Sequence, residues 1–270
     1  IAEGSYEISV PLVLGQSLTV QGGFDPRTWR RTEESRSSLT LTAEAFTDAG
    51  GAVVVEQGKL TVGRFDIVVE NSRSNSEDPR GDRADRFAVM ARESALFVQN
   101  VSLSLHNAGA VHQSGGDVTL KRVDVVDERG GMGSLLNVEG GRTVLDDVTV
   151  LGSPRGRDSA LLTAREAQLF IRDGRIEPGG GDRSLGIRAE SSRLAIGSSE
   201  IQAGTGARSA RGVYATGGSL RIIDSRFSTS ERSRIATAVT ADDAQTTIEG
   251  STFTLRGSGG VAGVAVQGGR

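Results

Sequence analysis

The residues with the best claim to chemistry stand in three adjacent pairs, Lys121-Arg122, Asp146-Asp147 and Arg172-Asp173. From Lys121 to Asp146 is 25 residues and from Asp146 to Arg172 is 26. If that interval is one turn of a coil, Asp146, Asp147 and Asp173 come together with Lys121 and Arg172 beside them. Three carboxylates are suitable hard-oxygen ligands for Ca²⁺, and an Arg or Lys at their edge could serve as a base. The same spacing supports a plainer reading, an ion-pair ladder Lys121–Asp146–Arg172 across neighbouring strands. Such a ladder stabilises an exposed sheet by fractions of a kcal/mol per pair. A second series of similar character, Asp124, Thr149, Arg175, Glu200, Arg226 and Thr252, favours the ladder. The expectation is therefore no catalytic residue, no metal and no cofactor, with Lys121, Asp146, Asp147, Arg172 and Asp173 as the alternative catalytic set.

Other chemistries lack the necessary residues. There is no cysteine, so no disulfide framework, thiolate metal site or Cys nucleophile. The two histidines, His106 and His112, are too few for an imidazole zinc site, and His112 falls in an outward strand position. Asp242-Asp243 repeats the acidic pair but has no hydrolase motif beside it. The glycine runs Gly179–Asp182 and Gly257–Gly260 have no following Lys-Ser or Lys-Thr and lead into no helix; they read as turns that need positive φ. Arg80-Gly81-Asp82, an integrin-type tripeptide, lies in a polar stretch from 71 to 86 that reads as a solvated insertion.

The positioning elements follow from composition and repetition. The chain has 270 residues, with 37 Gly, 5 Pro and 4% aromatics, which fits a thin aliphatic core punctuated by turns. A net charge of −3 gives no electrostatic reason for nucleic-acid binding. No apolar run approaches the length of a membrane span.

A ten-residue pattern recurs through the chain, as in Gly58–Ile67, Ser94–Leu103, Gly116–Val125 and Gly218–Phe227. Its first anchor falls at Leu18, Leu39, Leu60, Leu96, Val118, Thr143, Leu169, Leu194, Leu220 and Thr246. Aliphatic residues follow two positions after each anchor, and apolar ones seven after. A further pair precedes each anchor, as in Val213 and Ala215 before Leu220. Period two within each segment means strand, and a fixed longer interval means a solenoid. Three strands per coil, with alternate side chains inward, predict a single domain over 1–270. It holds about ten coils in all and divides into an entry coil and turn over 1–37, regular coils over 38–270 and the insertion at 71–86. Val264 and Val266 fill slots that precede a further anchor at position 271, so the chain is expected to be an excerpt of a longer solenoid or to associate end to end.

This coil repeat, from Leu39 to Val266, resembles the right-handed parallel β-helix family, the pectate-lyase-like superfamily. The resemblance implies an all-β right-handed, three-sided solenoid. It also brings in the family's carbohydrate enzymes as a rival function, a polysaccharide lyase or glycan-binding module. The entry residues Ala2–Tyr6 and Leu18–Trp29, with Gly22-Gly23-Phe24-Asp25-Pro26, resemble the first coils of bacterial cell-surface β-helix proteins. That likeness implies a non-enzymatic, extracellular or cell-surface protein for presentation or adhesion, with a glycan or a host or cell-surface protein as partner. Phe97 and Phe170, each one residue after an anchor, are the outward apolar contacts.

Overall fold

The computed structural model describes the whole chain except residues 33–34, 48–49, 71–85, 128–133, 154–159, 180–182, 205–207, 230–232 and 269–270. The insertion, with Arg80, Gly81 and Asp82, lies outside the described residues apart from Arg86. All strands pair in parallel with the strand one coil away, and the only helical element described is a single 3-10 turn, Ala43–Ala45. The molecule is an all-β parallel solenoid.

Each coil presents three faces. The first face carries the anchors, as in Ser219–Ile223; the second carries the slot seven residues on, as in Arg226–Thr229; the third is a separate sheet, as in Ser209–Thr216. That third sheet has ten strands from Leu12–Leu14 to Val261–Gln267, a stack of about 43 Å at roughly 4.8 Å per strand. Anchor residues and those two after them fill the interior: Leu120, Leu169 and Ile222 are completely buried. Facing them from the third sheet are Ile187, Val213 and Val239, also fully buried.

Two corners per coil are made by residues with positive φ. Four residues after the anchor stand Arg64, Asn100, Arg122, Asp147, Asp173, Ser198, Asp224 and Gly250, all with φ between 47° and 63°. Three residues before the anchor stand Gln57, Glu93, Gly115, Gly140, Glu166, Ser191, Gly217 and Asp243, with φ from 44° to 76°. A left-handed residue turns the chain through one corner without spending several residues on a loop. Asn, Asp and Gly adopt it at least cost, which explains why short polar residues recur there. The glycines of Gly179–Asp182 and Gly257–Gly260 that are described do not serve this role. Gly179, Gly257, Gly259 and Gly260 are absent from the positive-φ set; at Gly259 a Cβ would instead meet the Arg234 carbonyl at 2.5 Å.

Leu39 does not occupy an anchor slot. Leu18 pairs directly with Leu60, whereas Leu39 pairs with Tyr6 on one side and Ile67 on the other, which places it on the second face. The first face therefore has nine strands among the described residues, against the ten expected. Leu39 and Leu41 share the period-two spacing of an anchor pair, and Ile67 and Val69 show that the second face uses the same spacing. The described residues between 22 and 36 form an excursion that replaces the tight corner between the first and second faces. It is closed by Gly22 N–H donating to Gly63 O at 2.9 Å and Gly23 N–H to Ser37 Oγ at 3.0 Å.

The corner chemistry changes along the rod. In the early coils the residue five after the anchor is Phe65, Val101, Val123 or Val148, and one strand runs through the corner, as in Arg142–Gly152. From Gly174 onward the strand divides, and the slot becomes Ser199, Ser225 and Ser251. Ser199 Oγ accepts from Gly174 N–H at 3.0 Å, Ser225 Oγ from Ser199 N–H at 3.2 Å, and Ser251 Oγ from Ser225 N–H at 3.2 Å. Each hydroxyl donates to the carbonyl two residues before it, at 2.7–2.9 Å. Ser225→Ala would leave the Ser199 N–H without its acceptor in a buried place, at a cost of about 1–3 kcal/mol. Urea unfolding of the two proteins should show that loss; equal midpoints would mean that backbone or water replaces the hydroxyl.

Candidate functional site

The outward columns of the first face are the residues one before, one after and three after each anchor. On successive strands they line an elongated groove of about 1000 Å³ running from Phe97 to Thr247. The apolar part of its floor comes from Phe97, Val144, Phe170, Ala195 and Ile223, with Thr119 between the first two. Phe97 and Phe170 thus emerge on the outer surface, both half-buried.

The structure brings together three of the five alternative catalytic residues. Lys121, Asp146 and Arg172 are cross-strand partners in one column. Arg172 donates from Nε and Nη2 to Asp146 Oδ1 at 2.9 and 2.7 Å, and Lys121 Nζ lies 3.5 Å from Oδ2. The Arg172 hydrogen bonds are the largest influence on the Asp146 carboxyl; with the charges of Arg172 and Lys121 they outweigh the desolvation that opposes them and hold it below its ordinary pKa. The same bonds raise Arg172.

Asp147 and Asp173 sit one residue on, at the left-handed corner, with φ of 56° and 51°. Asp173 reaches back to Arg172 Nε at 3.6 Å. Among the described residues no three His, Asp or Glu side chains converge as a metal site. The corner takes Asp147 and Asp173 out of the strand alternation that carries Asp146, so spacing alone overstates their proximity. Asp243 of the pair Asp242-Asp243 is likewise a corner residue, φ 51°.

The second charge series keeps its register, Arg175 opposite Thr149 and Glu200, and Glu200 opposite Arg226. Its tightest ion pair, however, is within one strand, between Arg175 and Glu177. His112 is half-buried against Phe87, ring centroids 5.3 Å apart, with Nδ1 3.1 Å from Asn137 Nδ2. In the entry excursion Asp25 Oδ1 accepts from the Arg27 and Thr28 amides and the Thr28 hydroxyl at 2.7–3.0 Å. These bonds, the Thr28 amide first, lower its carboxyl pKa. The turn leaves Trp29 63% exposed.

Attention to acidic pairs overlooks Arg142, Arg193 and Arg221, which line the same groove. Their signal is legible in the period-two alternation: each lies one residue from an anchor, hence outward.

A depressed folded-state pKa means that the Asp146 pairing stabilises the protein above the unfolded pKa, about 3.9, and is lost as pH falls through the lower folded value. Asp146→Asn should cost about 1 kcal/mol or less at neutral pH, and the gap to wild type should close below about pH 4. Adding Ca²⁺ or a chelator should leave the melting temperature of wild type unchanged; a calcium-dependent shift lost in the Asp146→Asn, Asp147→Asn protein would restore the metal reading. At the corner, Asp147→Gly should be tolerated, whereas Asp147→Val should lose about 1–2 kcal/mol. Equal stability of those two proteins would show that the corner tolerates any residue.

No family model matches the sequence, and no curated protein does. Among solved structures, the chain is similar to the A-module of mannuronan C-5 epimerase AlgE6 from Azotobacter vinelandii. The identity is 11% and the TM-score 0.28, over 98% of this chain and 89% of that one. A likeness at that score says nothing of function; the parallel solenoid rests on the strand register itself.

Proposed function

We propose that this chain is a non-enzymatic solenoid of an extracytoplasmic bacterial surface or secreted protein, whose long outer faces serve presentation and adhesion. The observation that carries the reading is the state of Asp146. It is the one carboxylate lining the groove among the described residues, and Lys121 and Arg172 hold it between them. A general acid or base works best with a pKa near the operating pH. Here the carboxyl is shifted down and the guanidinium up, so each moves away from neutrality. The entry turn supports the surface role, since it clamps its own backbone through Asp25 while presenting Trp29 to solvent.

A second reading, a carbohydrate-active β-helix, is favoured by the groove, whose length and mixed apolar and cationic lining suit an extended chain of sugars. The two separate on turnover. Incubation with acidic and neutral polysaccharides should give no new reducing ends and no unsaturated products. Product formation abolished by Asp146→Asn would establish the enzymatic reading instead. For the location, antibodies should label intact producing cells; protein confined to the cytoplasm would defeat the surface assignment.

A further inference from the structure

Trp29 combines two unfavourable states. Its backbone is left-handed, φ 54°, which a residue with a Cβ adopts at a cost, and its indole is 63% exposed. A hairpin over 24–31 imposes both. An antiparallel bridge joins Phe24 to Arg31. Asp25 N–H donates to Arg30 O and Trp29 N–H to Asp25 O, both at 2.9 Å, and the Asp25 carboxylate clamps the tip. Half-buried Phe24 steadies two of the side chains, with the Trp29 ring centroid 6.2 Å and the Arg31 guanidinium 5.1 Å from its own. Strained backbone persists where its surroundings over-determine it, and it collects at functional sites. Positive charge gathers at the same tip. Arg27, Arg30 and Arg31 are exposed, and none has an ion pair among the described residues. Glu33 and Glu34, which follow, lie outside the described residues.

We infer that this hairpin is a membrane-surface contact: Trp29 enters the headgroup region of an anionic lipid leaflet, and Arg27, Arg30 and Arg31 meet its phosphates. The inference rests on the extracytoplasmic reading above and gives that protein a means of attachment. An indole is apolar in body and polar at one edge, which suits the boundary between headgroup and hydrocarbon. Each cation near an anionic leaflet strengthens binding about fivefold, and a fluid array of phosphates makes no demand on how the three guanidiniums are arranged. A protein partner fits less well. A stable protein interface takes about 20–30 residues a side, more than the hairpin offers, whereas lipid closes around a single projecting ring. The Asp25 clamp holds the tip in shape beforehand, so contact orders little more than the side chains. One ring and three cations give reversible attachment, not a permanent anchor.

Trp29 is the single Trp of the chain, so its fluorescence reads this site alone. The whole chain is mixed with vesicles of phosphatidylcholine, with vesicles of equimolar phosphatidylcholine and phosphatidylglycerol, or with heparin. Co-sedimentation with the anionic vesicles and a blue shift of the emission are expected, both lost at high salt, with neither response to the neutral vesicles. Trp29→Gly suits a φ of 54°, so it should keep the fold while weakening sedimentation about fivefold or more. Arg27→Gln, Arg30→Gln and Arg31→Gln together should weaken it about tenfold or more, whereas Arg226→Gln, on the second face, should stay within about twofold of wild type. Equal binding to neutral vesicles, an unshifted emission, full sedimentation of Trp29→Gly or of the triple variant, or a blue shift with heparin in place of lipid would overturn the contact. Vesicle binding by a protein that antibodies place in the cytoplasm would sink the surface reading and leave the contact. No binding by a protein found on the cell surface would sink the contact alone.

Discussion

Everything in this molecule depends on one coil lying in register on the next. A single coil has an aliphatic inner row too thin to exclude water and strand edges with no partner; stacking supplies both. The third face shows the effect within one column. Val213 and Val239, sandwiched between coils, are completely buried, while Val264, with a described coil on one side alone, is 40% exposed. The residue type and backbone are the same, so the burial is a property of the neighbour. Register then becomes obligatory, because a slip of one residue would turn an entire inner column outward.

The corners are what make that register affordable in a repeat of some 25 residues. A three-sided coil this short must turn within one or two residues, and the left-handed conformation does so at a cost of about 1–2 kcal/mol for a residue with a Cβ. Asn, Asp, Ser and Gly occupy most of these slots; Arg64, Arg122 and three Glu or Gln residues occupy others. Arg122 offsets part of the strain by donating to Asn100 Oδ1 at 2.6 Å, corner to corner. Two of the three carboxylates that first suggest a calcium site also have a backbone role. Asp147 and Asp173 stand where the chain needs a residue tolerant of positive φ.

This explains what the sequence discloses and what it withholds. The aliphatic columns are legible because each has a strict slot and a period of two; Val20, Val62, Val98 and Ile222 could be aligned by inspection. Leu39 misleads because the first and second faces share that period, and only pairing with Ile67 distinguishes them. The ladder Lys121–Asp146–Arg172 is legible for the same reason as the core, since outward columns obey the same register. The outward placement of Arg142 and Arg193 is legible in the same way, but their contact with Phe170 is not, for a cation–π contact has no spacing signature: Phe170 lies 28 residues from one and 23 from the other.

The groove and the core are two sides of one strand pattern, which sets how the surface can vary. Inward residues such as Leu169 and Ile171 fix the strand, while Gln168, Phe170 and Arg172, alternating with them, face outward. The outer columns are free of the core's volume constraint and answer only to their neighbours one coil away. Surface chemistry can therefore change coil by coil without disturbing the stack. Along the first face it does so, from aromatic at Phe97, to an ion-paired carboxylate at Asp146, to the guanidiniums of Arg193 and Arg221. A solenoid built this way is a ruler of fixed spacing. The character of its surface resides in the order of outward residues, and its stability in the columns beneath them.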